Sequence, residues 1–341
     1  MKLITGYALA ACLAVACAKQ PDRLAAATSD LATHASTAPA PDLPRLPDRP
    51  SLKLAVLDAP FNLGLRPPAP GREPGTRRLA QALRANDLVA RLGATDRGVV
   101  PAPPYAFVSD SKTRIYNAAA IRAYSEILAK RVQSITEQGE LALVLGGDCS
   151  ILVGSLMAPP VRGRRGLVFM DAHTDFGPPP AVGAGIELAL VTGHGPEGMR
   201  EFADRSPLVR ERDVVMFGPR DEDDLRELRG QTKLRILDFA SIRHKGAKES
   251  AREALAYLRA QGVDELWIHL DADVLDDAIM PAVDSRGPGG LSYAELRDSV
   301  SELVASGMVR GVDVTVFDPD RDPKGDMARA FTSALVETFR R

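Results

Sequence analysis

The chain has 341 residues, with 43 basic against 45 acidic side chains and a formal net charge of −2. That balance leaves no basic field for nucleic acid, and no internal repeat or heptad is evident. With 3 cysteines, a disulfide-built scaffold is excluded as well.

Met1-Lys2 precedes an apolar stretch from Leu3 to Ala16, too short for a stable membrane span but right for the core of a signal peptide. It ends Leu13-Ala-Val-Ala16-Cys17, which resembles a bacterial lipoprotein box with Cys17 as the lipidated residue. Residues 1–17 therefore read as a signal peptide, and the protein as exported, periplasmic or at the cell surface, with membrane contact only through an N-terminal lipid. Cleavage after Ala14-Val-Ala16 by ordinary signal peptidase and a mis-assigned start are the alternatives. Residues 18–51, with prolines at 21, 39, 41, 44, 47 and 50, cannot bury a core and read as a disordered tether. Residues 52–341 form the folded domain. Processing leaves Cys149 alone in it, so its thiol is either buried or chemically employed.

Leu52–Leu57 opens that domain as a strand. The loop after it holds Asn62 and Arg66 at the strand's carboxyl end, where sheets of this type bind ligands, although plain loop structure explains both. Helical spacing predicts a helix over 76–92 and a longer one over 113–139. There follow strand 141–145, a helix from Ser150, strand 166–170, helix 186–192, strand 213–217, helix 221–229 and strand 234–238. Helix 247–261, strand 264–270, helix 292–305, strand 309–314 and helix 325–340 complete the chain. Strict alternation predicts an α/β fold, a parallel sheet covered on both faces. Residues 176–185, with three prolines and three glycines, form a loop suited to a lid.

The chemistry concentrates where two buried strands end, in Asp171-Ala-His173-Thr-Asp175 and Asp271-Ala-Asp273. If the strands continue through them, alternation points Asp171, His173 and Asp175 one way, and Asp271 and Asp273 likewise. So many carboxylates are costly together unless cations stand between them. Shared Asp ligands and a His suit two divalent ions that turn water into a nucleophile. Helix N-capping by single Asp residues is the competing reading.

A third segment, Gly146-Gly147-Asp148-Cys149-Ser150, follows strand 141–145. With the two Asp segments, and with Gly289-Gly290-Leu-Ser292 after Asp276, it resembles the ureohydrolase family of arginases and agmatinases, whose signatures are GGDHS, DAHxD, DxDxxDP and GG(L)S. Order and spacing match over about residues 52–340. The resemblance implies a three-layer α/β/α fold of the arginase and deacetylase kind, with a mostly parallel sheet of about eight strands. It also implies a binuclear manganese centre and a small-molecule substrate, with a homotrimer or homohexamer by analogy. Asp171 and Asp271 would bridge both ions and act in catalysis. Cys149 and Asp175 would complete one site, and His173 and Asp273 the other.

Departures from the pattern matter equally. Cys149 stands where the family has a metal-binding His, which favours Zn2+ or Co2+ over Mn2+. Ala184 falls at the family's catalytic His, leaving His194 as the one histidine to test for catalysis. Val316 replaces the glutamate that grips a guanidinium, and Gly177 replaces an Asn at the substrate carboxylate. Asp221 and Asp223, after Arg220, match residues that hold a substrate amino group, and Ser285 matches a hydroxyl beside the guanidinium. An acidic first helical turn accounts equally for Asp221 to Asp224. His269 reads first as sheet packing, with support of Asp271 as the alternative, and His34 and His244 read as solvent-facing. The expected function is metal-dependent hydrolysis of a linear carbon–nitrogen bond in a guanidine, amidine or related substrate. The alternative is a catalytically silent metal- or ligand-binding protein on the same fold.

Overall fold

The computed structural model describes residues 52–340; the signal-peptide and tether readings lie outside the described residues. Eight strands make one sheet: β1 (Leu54–Ala59), β2 (Thr95–Val99), β3 (Leu141–Gly146), β4 (Arg165–Met170), β5 (Val214–Phe217), β6 (Arg235–Leu237), β7 (Glu265–Asp271) and β8 (Val309–Thr315). Their order is β2-β1-β3-β8-β7-β4-β5-β6, and every ladder is parallel. Strands β3, β4 and β7 are buried along their whole length, because helices cover both faces and a one-sided polar pattern has no place there. Strand β1 sends Leu54 and Val56 into one apolar layer and Ala55 and Leu57 into the other.

One layer packs under α3 (Ala118–Thr136), α4 (Ile151–Met157) and α5 (Glu187–Val191). The other packs under α1 (Leu79–Arg84), α2 (Leu88–Leu92), α7 (Phe239–Lys245), α8 (Ala247–Ala260), α9 (Tyr293–Ala305) and α10 (Asp326–Phe339). Helix α6 (Glu222–Leu228) flanks the crevice at the strands' carboxyl ends. Among the described residues, no helix is long and apolar enough to cross a membrane.

Several boundaries differ from the sequence expectation for local reasons. The first strand sits two residues later, because Leu54 to Ala59 pair in unbroken register with Leu141 to Gly146. The helix expected over 76–92 breaks into a 3-10 turn, α1 and α2, since Asp87 takes a left-handed conformation (φ 60°). The helix expected from 113 begins only at Ala118. Asn117, also left-handed, spends its side chain on Leu63 and Ala106 carbonyls instead. Edge strand β2, polar and exposed, carries no alternating apolar signal and escaped the sequence reading, as did α7.

Candidate metal centre

The order of the central strands sets the carboxyl ends of β3, β8, β7 and β4 side by side, the place where parallel sheets build ligand sites. Neither strand runs on through its Asp segment, contrary to the alternation argument: β7 ends on Asp271 itself and Ala272–Val274 form a 3-10 turn. Strand β4 stops at Met170, and Asp171 turns the chain by accepting the His173 N–H on Oδ1 at 2.6 Å. Asp271 does the same for the Asp273 N–H at 2.8 Å. Asp175 follows in a left-handed conformation, φ 44°. Paired Asx turns, not strand pleating, bring the side chains together.

The turns spend one oxygen of each leading Asp on backbone and free the other. Asp171 Oδ2 is buried and finds no donor. Asp271 Oδ2 accepts from Cys149 Sγ at 2.8 Å, and the thiol also lies 3.1 Å from Thr315 Oγ1. His173 Nδ1 stands 3.0 Å from Asp273 Oδ2 and 3.5 Å from Asp171 Oδ1. Asp148 holds this floor in place: its carboxylate accepts the Gly64 N–H at 2.7 Å and the Ser150 N–H at 2.9 Å. Gly147 is obligatory beneath it, since a Cβ there would lie 1.7 Å from the Phe61 carbonyl oxygen.

Acidic groups crowd this floor. Burial, then the charges of Asp273 and Asp171, holds the Asp271 carboxyl well above the usual range. Burial and the facing Glu187 and Asp171 do the same to Asp175, and burial raises Glu187. Burial, followed by Asp271 and Glu187, lifts the Cys149 thiol. Burial draws the His173 ring down, but its hydrogen bonds to Asp171 and Asp273 outweigh that and push it up to about 12. Asp175, Glu187, Asp271, Asp273, Cys149 and His173 are all driven to hold a proton, which is how a cluster of donors behaves when positive charge is what it lacks. Donors fall into two sets, Asp171–His173–Asp273 and Cys149–Asp171–Glu187–His269, the atoms of each set lying within 4.8 Å of one another and Asp171 belonging to both. Unsatisfied buried oxygens and a shared carboxylate fit a pair of divalent cations.

A cavity of about 1130 Å³ opens above this floor; His173, Asp175, Asp271 and Asp273 lie in its wall. Ser285, Val316 and Ala184 line it, as does Arg66, whose guanidinium lies over Tyr116 and Phe107. Asn62 is structural, donating to the Pro74 carbonyl. His194 is also in the wall, but its Nε2 pairs with Glu211 and its ring leans on Phe176. Asp221 caps α6 by accepting the Asp223 and Asp224 N–H groups, and Asp223 pairs with Arg226 in solvent. From that helix Asp224 and Glu227 reach the cavity instead. The 176–185 loop lines the cavity but is pinned by Ala181, bonded to Arg114 and Tyr116, and by Ala184, bonded to Gly64.

Three buried groups were missed or undervalued from sequence. Glu187 was hidden inside an apolar helical run, where only its isolation among Ile186, Leu188 and Ala189 offered a signal. Asp284 faces Asp273, and burial with that neighbour raises it to about 6. His269 packs inside the sheet, yet its Nε2 is buried without a partner.

The sequence profile described as the arginase family matches residues 52–340. The arginase of Staphylococcus aureus (strain COL) is 30% identical over 271 residues, 76% of this chain and 89% of that protein. The crystal structure of Bacillus subtilis arginase superposes with a TM-score of 0.74 at 25% identity, covering 85% of this chain and 99% of that one. Formimidoylglutamase from B. subtilis shares the fold, with a TM-score of 0.65 at 20% identity over 86% of this chain and 88% of that one.

Proposed function

The chain belongs to the arginase family, and from that premise we propose that it hydrolyses a linear carbon–nitrogen bond of a guanidine, amidine or related small molecule. Two divalent cations would be held among Cys149, Asp171, His173, Asp175, Asp271 and Asp273. The observation that carries this reading is the buried, unpartnered Asp171 Oδ2, clustered with His173 and Asp273, which line an open cavity. Bound divalent ions supply a nucleophile by acidifying water, and they stabilise charge that develops on the substrate.

The chain's own residues set the rest. Asp171 and Asp271 fix the floor through their Asx turns. Asp284, buried in the cavity wall beside Asp273, is a carboxyl within reach of a bound substrate and can serve it as a proton donor or acceptor. Ser285 presents a hydroxyl to the same space, while Val316 offers an apolar surface. Without a carboxylate at Val316 or a histidine at Ala184, tight capture of arginine's guanidinium is disfavoured. Asp224, Glu227, Arg66 and Arg321 all line the cavity, and carboxylates together with guanidiniums suit a substrate with a planar nitrogenous head and a polar tail. The donor set with Cys149 favours zinc or cobalt over manganese.

The N-terminal sequence adds that this domain is exported and tethered through Cys17; a Cys17→Ser variant would then move from membranes to the soluble fraction. The deciding experiment is metal analysis of purified full-length protein, then urea, ammonia and amine release over a panel of guanidines, amidines and formimino compounds. Turnover that disappears on chelation and returns with metal supports the proposal. Stoichiometric metal with no turnover on any member would leave a silent binding protein.

A further inference from the structure

We propose that His269 is a metal ligand, its Nε2 closing a first cation site with Cys149 Sγ and carboxylates of Asp171 and Glu187. The inference rests on the metal-dependent reading above and adds to its ligand set two residues, His269 and Glu187. These four side chains come from the turn after β3, the turn after β4, the start of α5 and the body of β7. All are buried, and their donor atoms lie within 4.8 Å of one another. Asp171 is shared with the second group, His173 and Asp273, so a bridging carboxylate joins the two sites.

The imidazole is prepared for that role by its surroundings. His269 Nδ1 lies 2.9 Å from Asp313 Oδ2, its neighbour in register on β8. The other oxygen of Asp313 accepts the Trp267 indole N–H at 2.6 Å. Asp313 is thereby an acceptor on both oxygens, which places the ring proton on Nδ1 and a lone pair on Nε2. A carboxylate behind one ring nitrogen with the other left free is the arrangement that orients histidines toward metals. Phe169 stacks on the ring, centroids 4.8 Å apart at 17°, and fixes its plane. Nε2 itself is fully buried and has no protein partner, a costly state for a nitrogen that serves only packing. Glu187 lacks an N–H or hydroxyl donor at either buried oxygen and faces the carboxyl of Asp175 instead. A thiolate, an imidazole and two carboxylates make a four-donor set that suits zinc or cobalt. An imidazole reaching in from β7 thus supplies the nitrogen donor that Cys149 does not.

The test is proton NMR of the full chain loaded with Co2+, with cobalt counted per chain by elemental analysis. Two hyperfine-shifted exchangeable imidazole N–H signals are expected. One, from His269, exchanges slowly in D2O because Asp313 shelters its proton; the other, from the partly exposed His173, exchanges quickly. His269→Gln should remove the slow signal and lower cobalt from two ions to one per chain. Bound cobalt with a single shifted imidazole signal in the unmodified protein overturns the assignment even if the variant fails to fold. Both signals persisting in His269→Gln overturns it too. No cobalt binding at all removes the metal premise of the proposed function, and this ligand with it.

Discussion

Strands β4 and β7 lie side by side and carry buried charge at both ends, yet the two ends are built on opposite terms. At the amino end Arg165 and Glu265 are partners in register, joined Nε to Oε1 at 2.8 Å. The guanidinium also donates to the Ala158 and Pro159 carbonyls and lies over Trp267. Glu265 Oε2 accepts the Val161 and Arg162 N–H groups. Both of these charges are answered within the protein. At the carboxyl end of the same strands Asp171, Asp175, Glu187, Asp271 and Asp273 crowd around two histidines, His173 and His269, and one thiol, and buried oxygens go without donors. A buried ion pair completed by its own hydrogen bonds belongs to the scaffold, whereas buried charge left incomplete marks the place where something must bind.

Substitutions at the two ends should therefore act on different quantities. The largest stability loss is expected from Arg165→Met, which strands Glu265 in the interior. Chemical denaturation should show a cost of about 3–5 kcal/mol, with the metal content of the folded fraction unchanged. Asp271→Asn should invert that pattern, with most bound divalent metal lost by elemental analysis while the metal-free protein melts no lower, since a repelling carboxylate has gone. A metal-free Asp271→Asn protein less stable than the parent would erase the distinction between the ends.

The pH dependence of stability should change sign with metal. In the metal-free chain Asp175, Glu187 and Asp271 are raised above their unfolded values, and His173 is raised from 6.5 to about 12. Each group then binds more protons folded than unfolded within its window. Its stabilising effect is complete below the unfolded value and fades as pH rises toward the folded one, so metal-free stability falls from about pH 4 upward. Loaded protein needs the same ligands deprotonated, so its stability should rise with pH across the acid range. Melting curves with and without metal, taken between acid and mildly alkaline pH, check the crossing.

Smaller effects sharpen the picture of the carboxyl end. Cys149→His should move preference from zinc or cobalt toward manganese in competition binding, and bound metal should shield the native thiol from alkylation. Val316→Glu buries a carboxyl at a position only 2% exposed and should cost about 1–3 kcal/mol of stability. It places a carboxylate in the cavity wall, and its readout is increased turnover or tighter binding of guanidines relative to amidines.

Strand–helix alternation and continuous apolar runs were enough to specify a covered parallel sheet, because burial on both faces leaves no other pattern for β3, β4 and β7. The three ordered motifs likewise specified the family and which strand ends carry its chemistry, since motif and spacing are properties of the chain. Folding alone decided that Asp171 and Asp271 act through Asx turns, and that α6 offers Asp224 and Glu227 to the cavity while Asp221 caps and Asp223 faces solvent. Nor did spacing link His269, Asp313, Cys149 and Glu187, which are distant in sequence. Their meeting depends on β8 and β4 flanking β7 and on α5 starting beneath the same crevice. Burial and missing partners are relations between segments, and they acquire values only once the chain has packed.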